Sequence, residues 1–219
     1  YTSVANEMET QWVGRPGPRY QPDRNGRKPG PLSTGGRLFA QGLERIVALD
    51  TYNGTILWSA EVPGMRRFNI PRDCGNWCAD QERVYIAIRD HCWVIDAATG
   101  KVNSHYAIPA DRGPANEYDW GFVARTDEIL LGSSVRKGTS WTSFWGKAGW
   151  YDAERGEATH QICSDALFAL NATSGQHRWR YEHGVILNST IAASEDRVYF
   201  LECRNQNVRD RSSRRVAAA

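Results

Sequence analysis

Residues 36–64 read GRLFAQGLERIVALDTYNGTILWSAEVPG, and this stretch decides the fold. It holds three short runs of β type: 37–41, 45–50 and 55–62. Between the last two sits Tyr52-Asn53-Gly54. Asn-Gly between apolar runs is a strong hairpin signal, because both residues tolerate positive φ. The same turn returns as Asp96-Ala97-Ala98-Thr99-Gly100 and as Asn171-Ala172-Thr173-Ser174-Gly175, each after an apolar run.

The spacing makes these turns members of a repeat. Asp50 and Asp96, Gly54 and Gly100, and Trp12 and Trp58 are each 46 positions apart, the length of a four-stranded propeller blade. Gly175 lies 75 positions beyond Gly100, so one blade carries an insertion of about 29 residues. No stretch shows a competing helical period. The expected fold is all-β: a β-propeller of four-stranded antiparallel blades, present as an incomplete arc of about four.

The expected organisation follows the chain. Residues 1–30 hold the end of a preceding blade, with Trp12 in its last strand, and then a loop rich in Pro, Gly and Arg. Residues 31–62 and 76–107 are blades. Residues 120–182 form a third, interrupted by an insertion at 136–161. Residues 187–202 start another, and 203–219 are a polar, basic tail or loop. The expectation is therefore a piece of a larger protein with two exposed blade edges, prone to associate.

Ala48-x-Asp50 followed by Gly54 and Trp58 resembles the tryptophan-docking repeat of the PQQ-like β-propellers, the superfamily of the quinoprotein alcohol dehydrogenases. Val94-x-Asp96-x-x-Thr99-Gly100-Lys101 and Ala169-x-Asn171-x-x-Ser174-Gly175-x-x-x-Trp179 fit the same pattern. Ser104 stands where a docking Trp is expected, and Asn171 replaces the Asp. The resemblance implies structural, docking roles for Trp12, Trp58 and Trp179. It also implies a bacterial, periplasmic or otherwise extracytoplasmic setting, and PQQ with Ca²⁺ if the protein is catalytic.

Bulk composition excludes several classes. A net charge of +2 gives no field favouring nucleic acid. No apolar run is long enough to span a bilayer. Five Cys, an odd number, do not make a disulfide framework, and there is neither a zinc-ribbon spacing nor a Cys-x-x-Cys-His haem site. They read as buried or half-buried free thiols.

Loop lengths locate the functional face. Blade strands alternate in direction, so first-to-second and third-to-fourth connections share one rim, which here receives minimal turns. The other rim receives every long connection: 63–75, 109–119, 136–161 and 183–188. Binding residues concentrate on loops carried by a rigid scaffold. The candidate ligand-binding rim is Arg66, Arg72, Asn116, Glu117, Trp120, Trp145 and Trp150. The arginines suit an anionic group and the aromatics a ligand wall. Asn116, Glu117 and Asp119 are oxygen donors of the type a hard cation takes, but no repeated ligand spacing accompanies them, and no metal is assigned.

Two functions fit this pattern. One is a scaffold binding a small molecule or a protein partner at the long-loop rim, without chemistry. The other is part of a PQQ-dependent dehydrogenase acting on an alcohol or sugar. No adjacent Cys pair, haem motif or clear carboxylate triad supports the second, so no cofactor is assigned and the first is preferred.

Overall fold

One turn chemistry, used three times, sets the architecture. The Asp50 carboxylate accepts the backbone N–H of Tyr52 and Asn53 at 2.8 and 3.1 Å. Asp96 does the same for Ala98 and Thr99, and the Asn171 amide oxygen for Thr173 and Ser174. Only an acceptor oxygen two or three residues upstream is needed, which is why Asn serves in the third copy. Each turn closes with a glycine at positive φ: Gly54 at 73°, Gly100 at 73° and Gly175 at 71°.

The structure, a computed structural model, describes residues 30–42, 44–65, 75–109, 117–137, 160–194, 196–210 and 215–217. The first blade comprises β1 (Leu32–Thr34), β2 (Arg37–Gly42), β3 (Arg45–Asp50) and β4 (Ile56–Glu61), antiparallel and in chain order. The second repeats the plan with β5 (Trp77–Ala79), β6 (Arg83–Ile88), β7 (His91–Asp96) and β8 (Val102–Ala107). In both, the third-to-fourth strand ladder shifts register near the turn, after Ala48 and after Val94.

The third blade begins with β9 (Tyr118–Thr126) and β10 (Ile129–Arg136). The next strand, β11 (His160–Ser164), leaves the blade, and β12 (Ala166–Asn171) returns to pair with β10 before β13 (His177–Tyr181) closes it. The first strands of successive blades are neighbours, β1 beside β5 and β5 beside β9.

Alternation puts one face of each blade against the next. Phe39, Ile46 and Ala48 meet Val84, Ile86 and Ile95, all at most 0% exposed. Tyr85, Cys92 and Val94 meet Trp120, Leu130 and Phe168. Burial of each large side chain of this kind contributes about 1.5–3 kcal/mol.

Beyond β13 the plan changes, and three expectations need correction. The stretch 183–188, read as a rim loop, contains β14 (Val185–Leu187), which pairs with β11. The expected strands of a further blade shrink to β15 (Ala192–Ala193) and β16 (Val198–Tyr199), because Asn188–Thr190 form a 3-10 turn. Thr190 fixes that turn by donating to the Leu187 carbonyl and accepting from the Leu201 N–H. The region 203–219 is not simply a tail: after β17 (Glu202–Cys203) come a one-turn helix, α1 (Gln206–Arg209), and β18 (Arg215–Ala217), which pairs with β11. The result is a sheet ordered β17-β14-β11-β18, whose neighbourhood packs Ile186 and Ile191 on Phe122, Leu131 and Leu167 of the third blade.

Candidate functional site

The two rims differ as strand parity requires. On the short-turn rim, the turns of the second and third blades join each to the blade before it. The Trp58 indole N–H donates to the Ala97 carbonyl at 3.0 Å, and its ring lies over Gly100, where an added Cβ would stand 2.6 Å from it. Tyr106 makes the equivalent join to the third blade, its hydroxyl donating to the Thr173 carbonyl at 2.7 Å and its ring lying over Gly175. Asp80 and Arg125 bridge the same two blades at 2.9 Å, and Arg83 donates to the Thr173 hydroxyl.

The long-loop rim carries a cleft of about 480 Å³. Its walls come from five places in the chain. Tyr118 and Arg136 end the paired strands β9 and β10, where they face each other in register. Asp165 is the single residue between β11 and β12. Glu182 to Val185 join β13 to β14, and Gln206, Arg209 and Asp210 come from α1 and its end. Backbone approach fixes one wall: a Cβ on Gly184 would stand 2.8 Å from the Glu202 carboxylate and 2.9 Å from the Cys203 carbonyl.

Most charges in this cleft are answered. Arg136 Nε donates to Asp165 at 3.0 Å, and the Tyr118 hydroxyl donates to the same oxygen at 3.3 Å. Burial, together with the Asp165 charge, pushes the Tyr118 hydroxyl above its usual range. Arg180 Nε donates to Glu182 at 3.0 Å and its Nη1 to the Pro109 carbonyl, tying the wall to the end of the second blade. Behind the wall, Tyr181 donates to Glu202 at 2.8 Å, and Arg204 also donates to Glu202. Burial raises the Glu202 carboxyl, but these two donors outweigh it and hold its pKa below the usual glutamate value.

Ser133, Ser164 and Asn188 form a fully buried network. Ser133 accepts the Phe122 N–H, and Ser164 bonds both Ser133 and Asn188. The network is not complete, since the Asn188 amide nitrogen is buried without a partner among the described residues.

Two of the seven expected rim residues, Glu117 and Trp120, are among those the structure describes. Arg66, Arg72, Asn116, Trp145 and Trp150 lie outside the described residues, as does Trp12. Glu117 is exposed on the long-loop rim beside Tyr118, its carbonyl accepting the Lys137 N–H. Trp120 is a correction. It is 1% exposed, stacks edge-on against Phe168 and donates its indole N–H to the Phe122 carbonyl, so it is core and not a ligand wall. The strand β9 begins two residues earlier than the loop reading allowed, which turns its ring inward.

Trp179 pairs with Ala169 as Trp58 pairs with Ala48, yet it is 38% exposed, with no described turn against it. Four of the five Cys are described, all as free thiols: Cys78, Cys92, Cys163 and Cys203. Among the described residues, no group of three His, Cys, Asp or Glu converges to hold a metal. No described helix is long and apolar enough to cross a membrane.

No protein-family model and no curated protein matches the chain. Among solved structures, it is similar to the quinohemoprotein alcohol dehydrogenase of Comamonas testosteroni, at 16% identity and a TM-score of 0.45, over 73% of this chain and 21% of that one. A europium-containing methanol dehydrogenase matches at 16% identity and a TM-score of 0.45, over 70% of this chain and 32% of the other. BamB from Moraxella catarrhalis matches at 15% identity and a TM-score of 0.36, over 86% of this chain and 63% of that one. The chain thus spans about a fifth to a third of the length of the two dehydrogenases.

Proposed function

We propose that this chain is a binding scaffold: stacked blades hold a cleft on the long-loop rim that takes a ligand without covalent chemistry. The observation that carries this reading is the pairing of Arg136 with Asp165 and of Arg180 with Glu182. Groups held in ion pairs are fixed hydrogen-bonding partners and are poorly placed to exchange protons. A concave site of about 480 Å³, lined from several chain segments, is in the size range of small-molecule pockets. The extracytoplasmic setting implied by the repeat resemblance belongs to the same proposal.

The test is a fragment library screened by saturation-transfer NMR on the full chain. Fragments that bind the wild type and lose their signal with Tyr118→Ala or His183→Ala, both still melting cooperatively, support the cleft. Hits indifferent to both variants overturn it. A parallel titration with PQQ and Ca²⁺ addresses catalysis. Saturable binding coupled to dye reduction by an alcohol or sugar overturns the non-catalytic reading.

A further inference from the structure

We infer that the cleft ligand is a small organic acid, whose carboxylate is taken by Arg209. This rests on the cleft being a binding site at all. The argument is a balance of partners. The carboxylates lining the cleft are already answered: Asp165 by Arg136 and Tyr118, Glu182 by Arg180, and Asp210 by the Gln206 amide at 2.8 Å. A cationic ligand would therefore have to displace an existing partner from each of them.

Arg209 is different. It lines the cleft from the last turn of α1, and its guanidinium has no hydrogen bond or ion pair among the described residues. Its neighbour Asp210 is spent on Gln206 and forms no ion pair with it. Gln206, three residues back on the same helical face, also lines the cleft. A guanidinium offers a planar fork of donors that fits a carboxylate with two parallel hydrogen bonds. Facing it, Tyr118 and Arg136 stand at the strand ends and Gly184 and Val185 along one wall, so the body of the ligand meets both polar and apolar surface.

The position of Arg209 is set by the fold and not by its own helix. Asn205 caps α1 by accepting the Asn207 N–H at 2.9 Å, and Arg204 holds the preceding residues to Glu202 and Tyr181. The segment carrying Arg209 is thus fastened to the edge of the third blade before any ligand arrives.

The experiment compares succinate with its neutral counterpart succinamide, by calorimetric titration of the full chain. Succinate is expected to bind saturably, and more weakly as salt rises. Arg209→Gln should raise its Kd at least about tenfold, the loss expected for a charge-assisted pair. Arg178→Gln, on the exposed part of β13 outside the cleft, should leave it unchanged. Equal binding of succinate and succinamide, no binding of either, or indifference to Arg209→Gln overturns the assignment. The broader cleft reading fails separately, when no fragment responds to Tyr118→Ala or His183→Ala.

Discussion

Trp58 and Tyr106 do one job with different chemistry. Each puts a ring on the glycine of the next blade's turn and a donor on a carbonyl of that turn. Trp58→Ala should cost about 3 kcal/mol in chemical denaturation, the low end for a large ring that is only half-buried. Trp179→Ala, at the corresponding register but with its ring exposed, should cost less than about 1 kcal/mol. Equal losses would show that the ring-on-turn contact is not what stabilises the blade interface. Gly100→Ala should cost more than about 1–2 kcal/mol, since φ is 73° and the new Cβ would meet the Trp58 ring. The Trp58 contact was legible in the sequence because Trp and Gly keep the repeat spacing. Tyr106 was not, because it stands two residues beyond the expected position, on the same face of its strand. Thiol reactivity also belongs at this scale. Burial, with the Asp80 charge, pushes the Cys78 thiol up to about 12, and burial raises Cys92 as well. Of the four described thiols, exposed Cys203 should react first with a disulfide reagent at neutral pH, as mass mapping of the labelled peptides would show.

The elements show where local signals stop. Strands β2, β3, β6, β7 and β12 were legible because alternation and the Asp- or Asn-led turns are local. The departure of β11 was not, since it is set by pairing with β14 and with β18, more than fifty residues away along the chain. The cleft was half-legible. Strand parity pointed to the rim where the cleft lies, but Asp165, Glu182, His183 and Arg209 belong to no motif and meet only through that rearranged sheet. One element-level contact has a definite pH signature. The Glu202 carboxyl is held low by Tyr181 and Arg204, so its stabilisation is complete above the unfolded glutamate pKa, about 4.3, and fades as pH falls through the lower folded value. Hydrogen exchange of Val185, Ile186 and Cys203 should therefore accelerate in acid before that of β6 and β7. Glu202→Gln should remove this pH dependence, and an unchanged profile in that variant would show that another group is responsible.

At the scale of the whole molecule, the chain is a series of similar sheets with no closed barrel, each joined chiefly to its neighbours. Unfolding of such arrays is governed by nearest-neighbour interfaces. The second blade, packed on both faces by Phe39, Ile46, Trp120 and Phe168 among others, should be the slowest to exchange in native-state hydrogen exchange, and the β15–β16 pair the fastest. The reverse order would show that the modified last sheet, and not the blade series, holds the molecule together.

The ring-on-turn join also has a direction. The first blade gives a ring forward to a glycine turn of the second, and the second does the same to the third, so at these two seams the front of one blade fits the back of the next. Genetic duplication or deletion in steps of one full period would leave seams of this kind chemically intact. A change of half a period would strand a ring without a turn. The architecture can therefore lengthen or shorten by whole units while the opposite rim keeps or trades its loops independently, so that growth and specificity are separately heritable.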